Sequence, residues 1–157
     1  MATHCRKLLT HTGAALALSL LAPSVLAQTT EQRQAQGDAV VRKLNGGSPQ
    51  QALEQLRAEF PFLAQATEAY ALGEVWGRPE LDDRTRQIAA VAVFAALGEP
   101  AFMKIHAGYA LNVGVSEAEL KEVVHLTTVT AGFPRAIAAA RALSELFAER
   151  RTSPDDE

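Results

Sequence analysis

The stretch "FMKIHAGYALNVGVSEAEL", Phe102 to Leu120, places one histidine among apolar residues and follows it with a glycine and a new helix signal. Apolar residues recur at helical spacing around His106, and Gly114 is well placed to end that helix in a left-handed turn. Ser116 and Glu119 form a capping box that begins another helix. The stretch therefore predicts two helices joined by a short turn, with His106 on the apolar face of the first.

The sequence beyond this stretch also predicts helices. Ala, Leu, Glu, Gln and Arg are abundant, and no segment alternates polar and apolar residues as a strand would. Helices are expected over about 31–44 (a weak helix or mobile arm), 49–60, 62–72, 83–97, 100–113, 116–130 and 134–150. Gly73 is expected to end the third of these and to begin a loop that reaches Arg86. We therefore predict an all-α domain, a bundle of about six helices.

The apolar segment from Ile88 to Leu97 is almost unbroken. A helix that is apolar on several sides is buried in a bundle core or in an interface between subunits. Both alternatives are open for this helix.

The first 27 residues have the pattern of a secretory signal peptide. Arg6 and Lys7 precede an apolar segment, and the small residues Val25 and Ala27 suit cleavage after Ala27. An uncleaved membrane anchor is the alternative, although the apolar run is short for a span and Pro23 interrupts it. We expect a periplasmic or secreted protein.

Four segments follow from this pattern. They are a signal peptide at 1–27, an N-terminal arm or weak helix at 28–48, the helical domain at 49–150 and a polar tail at 151–157. Cleavage would change the net charge from −3 to −5, because two cations and no acidic residue precede position 28. A mildly acidic surface disfavours nucleic acid and anionic lipid as partners.

Cleavage would also limit the available chemistry, because it removes Cys5, the one cysteine of the chain, and leaves two histidines. No disulfide, thiolate nucleophile or cysteine metal site is then expected. His106 and His125 are poorly spaced as metal ligands, so no metal site and no cofactor are predicted. His125 has polar neighbours on its helix and receives no role.

His106 has two interpretations. In the first, it is a general acid or base, because an imidazole titrates near neutral pH. In the second, it is a hydrogen-bonded core residue, and apolar burial alone would favour its neutral form. Arg86 and Arg78 could bind a carboxylate, or the run "DDRTR" could be a capped, solvated helix start. Trp76 either anchors its loop by packing or forms the apolar wall of a pocket.

Three blocks of sequence together resemble the carboxymuconolactone decarboxylase family, whose relatives include alkylhydroperoxidase D. They are "YALGEVWGRPELDDRTRQIAAVAVFAALG", "KIHAGYALNVGVSEAELKEVV" and "AGFPRAIAAARAL". The resemblance runs from about Phe60 to Phe147. It implies an alkylhydroperoxidase D-like all-α fold, packed into a homotrimer or homohexamer.

The family resemblance implies two chemistries. In the peroxidase branch a CxxC pair precedes the histidine, but here Glu99 and Phe102 occupy the two cysteine positions and Gln87 replaces the assisting glutamate. Thiol peroxidases need one thiolate to attack the O–O bond and a second thiol to resolve it. Antioxidant peroxidase activity is therefore the disfavoured alternative, and a non-catalytic module that binds a small molecule or a partner is another.

The decarboxylase branch requires no cysteine. By this resemblance His106 is the proton donor and Arg86 anchors a substrate carboxylate. Glu99 either polarises His106 or is a surface residue, and Tyr109 either donates a hydrogen bond or only packs. Trp76 and Arg78 are the other candidates for substrate binding. Thr130 departs from the tyrosine that the family often carries before its "AGFP" turn, and an exported copy would not meet the cytoplasmic muconolactone. The predicted function is a cofactor-free lyase acting on a small carboxylated lactone or related organic acid.

Overall fold

The computed structural model describes residues 28–152, and every regular element in that range is a helix. In chain order these are α1 (Thr30–Leu44), α2 (Gln51–Glu59), α3 (Pro61–Ala66), a π-helix (Thr67–Trp76), α4 (Asp83–Leu97), α5 (Pro100–Asn112), α6 (Glu117–Thr130) and α7 (Phe133–Thr152). The all-α prediction is confirmed. The predicted signal peptide and residues 153–157 of the predicted tail lie outside the described residues.

The helix ends around the bundle follow local signals. The side chain of Asp82 accepts a hydrogen bond from the backbone N–H of Thr85 at 2.6 Å, which caps the start of α4. Gly98 ends α4 with a φ of +78°, a left-handed conformation that favours glycine. The capping box of Ser116 and Glu119 is formed as predicted at the start of α6.

Gly73 corrects one sequence prediction. It does not end a helix but lies buried inside the π-helix, and the loop begins only at Gly77. A Cβ atom on residue 73 would overlap the backbone carbonyl of Arg33 in α1. Glycine is needed here for the close approach of two helices, which has the same local sequence signature as a helix stop.

The segment predicted as a weak helix or arm forms α1, which packs along the π-helix. Val41 and Leu44 of α1 are buried. Glu68 of the π-helix is also buried, and its carboxylate accepts hydrogen bonds from Gln34 of α1 and Arg57 of α2. Buried carboxylates persist when they are paired in this way, so α1 and α2 both help to hold the π-helix in place.

Helices α4 to α7 enclose the main apolar core, which includes Val91, Met103, Ala107, Leu120, Leu143 and Phe147. α4 is only partly covered within the chain, because Leu97 remains 59% exposed and Val93 54%. Within residues 28–152, no helix combines the length and apolar character needed to cross a membrane.

Candidate active site

His106 lies in the middle of α5, half-buried among three aromatic rings. The centroid of its imidazole is 5.2 Å from that of Trp76, 5.1 Å from that of Phe94 and 5.7 Å from that of Tyr109. Trp76 is the last residue of the π-helix and Phe94 belongs to α4. Three helical elements therefore meet at this imidazole.

Gln87 of α4 provides a polar contact to His106. Its Oε1 atom lies 2.8 Å from Nδ1 of the imidazole, and the Gln87 side chain is 0% exposed. Burial lowers the pKa of His106 from its ordinary 6.5 to about 4, because a buried imidazolium loses its hydration. The ring is consequently neutral near pH 7 in the free protein.

Three buried nitrogen donors in this region have no hydrogen-bond partner among the described residues. They are Nε1 of Trp76, Nε of Arg86 and Nε2 of Gln87. A buried donor left without a partner costs about 1–3 kcal/mol, and such groups are uncommon in native proteins. All three are N–H groups, and two of them belong to side chains that contact His106, namely Trp76 and Gln87.

Arg86 holds the loop between the π-helix and α4. Its two Nη atoms donate to the carbonyl oxygens of Val75 at 3.3 Å, Arg78 at 2.7 Å and Leu81 at 3.2 Å. These contacts fix the chain on both sides of Trp76. The structure thus gives Arg86 a structural task, and its predicted role as carboxylate anchor stays a prediction.

Tyr109 is, after Trp76, the second predicted site residue that lies beside His106. Its hydroxyl accepts a hydrogen bond from Nε2 of Gln50 at 3.1 Å, and burial raises the pKa of its phenol. Gln50 is the N-cap of α2, so a residue near the N-terminal end of the described chain also contacts α5, the helix that carries His106.

Arg78 and Glu99 lie farther from the imidazole. Arg78 is exposed, pairs with Glu80 at 3.5 Å, and lines with Trp76 a surface cleft of about 350 Å³. Glu99 is exposed at the start of α5, two turns and ~10 Å along the helix axis from His106. The imidazole is hydrogen-bonded to Gln87 and not to Glu99.

Sequence reasoning noted Gln87 only as the place of a missing glutamate, and it missed Phe94 and Gln50. A signal for Gln87 was present, because it is the polar residue that heads the apolar run of α4. His125 is exposed on α6, with Nδ1 3.2 Å from Oε1 of Glu122. Between residues 28 and 152 no group of three or more His, Cys, Asp and Glu side chains is arranged to hold a metal ion.

The chain resembles known proteins both at the level of a family and in sequence. The family model described as "Carboxymuconolactone decarboxylase family" matches residues 61–145. A 4-carboxymuconolactone decarboxylase from Acinetobacter baylyi is 36% identical over 86 residues, which cover 55% of this chain and 64% of that protein. A nitrosuccinic acid decarboxylase from Metarhizium robertsii is 34% identical over 89 residues, 54% of this chain and 61% of that protein.

A third relative, an uncharacterized protein from Methanocaldococcus jannaschii, is 26% identical over 102 residues, 65% of this chain and 94% of that protein. The match to each of the two decarboxylases covers less than two thirds of its length. The region matched by the family model contains the π-helix and the residues around His106, and it begins after α1 and α2.

Proposed function

This chain belongs to the carboxymuconolactone decarboxylase family, and we propose that it removes CO2 from a small organic acid by proton transfer at His106. Two relatives that carry an activity in their names are both decarboxylases, and their named substrates differ. The substrate class that fits both is a small carboxylated lactone or related organic acid. Trp76, Arg86 and Tyr109 would surround it.

The observation that carries this proposal is the buried indole N–H of Trp76, which has no partner and belongs to a ring whose centroid lies 5.2 Å from that of the neutral imidazole. Loss of CO2 breaks the bond between the carboxylate carbon and its neighbour. The electron pair stays on that neighbour and spreads onto a conjugated oxygen as an enolate. A buried N–H group with no other partner can stabilise such an oxyanion better than water does.

The proton balance follows from the charge of the ligand. A substrate carboxylate next to His106 would favour the imidazolium, since an opposite charge at close range raises the pKa of a base. His106 would take up one proton as the anion binds and pass it to the carbon that loses CO2. The net reaction consumes one proton per CO2 released and needs no oxidant or reductant.

The test is CO2 release from a panel of carboxylated lactones and small dicarboxylic acids. His106→Gln should reduce turnover by at least about a hundredfold, in line with the loss of a general acid. His125→Gln is the matched control, because that histidine is exposed on α6. A folded His106→Gln variant that turns over at the wild-type rate would overturn the proposal, and thermal stabilisation by these acids without turnover would favour a binding module.

Export and self-association form part of the same proposal. Export rests on the signal-peptide pattern of residues 1–27, and N-terminal sequencing of the protein from a periplasmic extract should begin at Gln28. A homotrimer or homohexamer is supported by the large apolar side chains that the chain leaves exposed on α4 to α7. These expectations do not depend on which acid is the substrate.

A further inference from the structure

The hydrogen bond between Gln87 and His106 determines which ring nitrogen carries the proton. A carboxamide oxygen is only an acceptor. In the amide orientation of this structure, Oε1 of Gln87 lies 2.8 Å from Nδ1 of His106, and Nδ1 is then the N–H of the neutral ring. A neutral imidazole has one N–H, so Nε2 is left with its lone pair free.

The other neighbours of the ring do not compete for this role. Phe94 is stacked on the imidazole and Trp76 is tilted against it, while the hydroxyl of Tyr109 accepts a hydrogen bond from Gln50. Among charged groups near these elements, Arg86 is engaged with loop carbonyls. Lys104 of α5 is turned to Glu145 and Glu149 of α7.

We propose that Gln87 is a positioning residue that holds His106 as the Nδ1–H tautomer and so makes Nε2 the atom that exchanges the proton with the substrate. The first half of this statement concerns the free protein and is independent of any reaction. The second half rests on the proposed function. Gln87 is suited to the task because its side chain is fully buried, so water does not compete with the imidazole for the amide oxygen.

The amide of Gln87 is also uncharged, and this affects the protonation state of His106. A glutamate at position 87 would also accept from Nδ1–H, but its charge would favour the imidazolium before any substrate binds. An amide fixes the ring without charging it. The imidazole of His106 is therefore neutral in the free protein. The negative charge of a bound substrate carboxylate then favours protonation of Nε2.

The tautomer can be measured directly by NMR on the whole protein with ¹⁵N-labelled histidine. Protonated and bare imidazole nitrogens have well-separated ¹⁵N shifts, and their couplings to the ring carbon-bound protons identify each nitrogen. In the wild type at about pH 7 we expect Nδ1 of His106 to be protonated and Nε2 to be bare. The His106→Gln variant assigns the signals, and His125 serves as the internal reference.

Two substitutions test the role of the amide. Gln87→Met retains the volume but removes the acceptor, so both tautomers of His106 should become populated. Gln87→Glu should keep the Nδ1–H tautomer and move the titration midpoint of His106 upward by at least one pH unit. The ¹⁵N signals of His125 should be the same in both variants as in the wild type.

The outcomes are distinct. A wild-type ring protonated at Nε2, or a Gln87→Met ring with the wild-type tautomer, would overturn the positioning role whatever the activity. Once a substrate is turned over, Gln87→Met should lower kcat by about tenfold or more with little change in KM, and Gln87→Glu should shift the pH profile. An Nδ1–H tautomer in a protein inert towards every acid tested would count against the proposed function and leave the positioning result standing.

Discussion

Gly37 of α1 and the carbonyl oxygen of Glu68 in the π-helix are in such close contact that a Cβ atom on residue 37 would overlap the oxygen. The contact is matched one turn along, where Gly73 lies against the carbonyl of Arg33. This pair of glycines sets the separation of the two helices. Since the π-helix ends at Trp76, which lies against His106, a helix outside the matched family region helps to place a ring of the candidate site.

Substitution of Gly37 tests this packing. Gly37→Ala should lower the free energy of unfolding by about 1–3 kcal/mol, because the added methyl group meets backbone that cannot move without separating the helices. Gly108→Ala in α5 is the matched control, since its Cβ would meet only Leu146 Cδ1 at 3.9 Å. There the change should be neutral or stabilising by up to ~1 kcal/mol. Urea unfolding measures both, and equal effects of the two substitutions would contradict the close contact.

Arg86 gives a second prediction, on the loop that follows Trp76. Arg86→Lys should loosen this loop, because a single ammonium group cannot reach the three carbonyls that the guanidinium binds. Trp76 is the one tryptophan of the chain, so its fluorescence reports on the loop directly. We expect stronger quenching by acrylamide and a red-shifted emission.

The control for this loop is Arg84→Lys. Arg84 lies two residues away and makes an exposed ion pair with Glu119, a kind of contact that contributes little to stability. Its substitution should leave Trp76 emission unchanged. Unaltered quenching in Arg86→Lys would show that the loop is held by other contacts.

The sequence predicted correctly those helix ends that are determined by residues close together in the chain. The capping box at Ser116 and the left-handed glycines at 98 and 114 specify helix ends through residues a few positions apart. Gly73 was interpreted wrongly because its neighbour, Arg33, lies on another helix 40 residues earlier in the chain. Gln87 was not recognised as the partner of His106 for the same reason, since that contact depends on how α4 packs on α5.

Self-association gives a third prediction. The exposed apolar side chains of α4 to α7 include Val93, Leu97, Phe102, Leu126, Val129, Phe133 and Ile137. Where exposed apolar side chains form a contiguous patch, they mark an interaction surface. Val129 is 83% exposed within the chain, so Val129→Glu should leave the fold intact and lower the assembly mass measured by light scattering after size exclusion.

The matched control for assembly is Ala118→Glu, an exposed position on the same helix where an acidic residue suits the helix start. It should retain the wild-type mass. A wild-type protein with the mass of one chain, or a Val129→Glu variant that still assembles, would contradict this surface as the subunit interface.

The lowered pKa of His106 predicts how stability depends on pH. The imidazole titrates at about 4 in the folded chain and near ~6.5 when unfolded. Between these values the unfolded state binds more protons, so the free energy of unfolding must fall as pH drops through this window and reach its full value above about 6.5. At 1.36 kcal/mol per pH unit the change is at most ~3 kcal/mol.

Urea unfolding between about pH 7 and pH 4 measures the slope, which should be shallower in His106→Gln and retained in His125→Gln. Equal slopes in all three proteins would mean that His106 is already charged, or equally accessible to protons, in the folded chain.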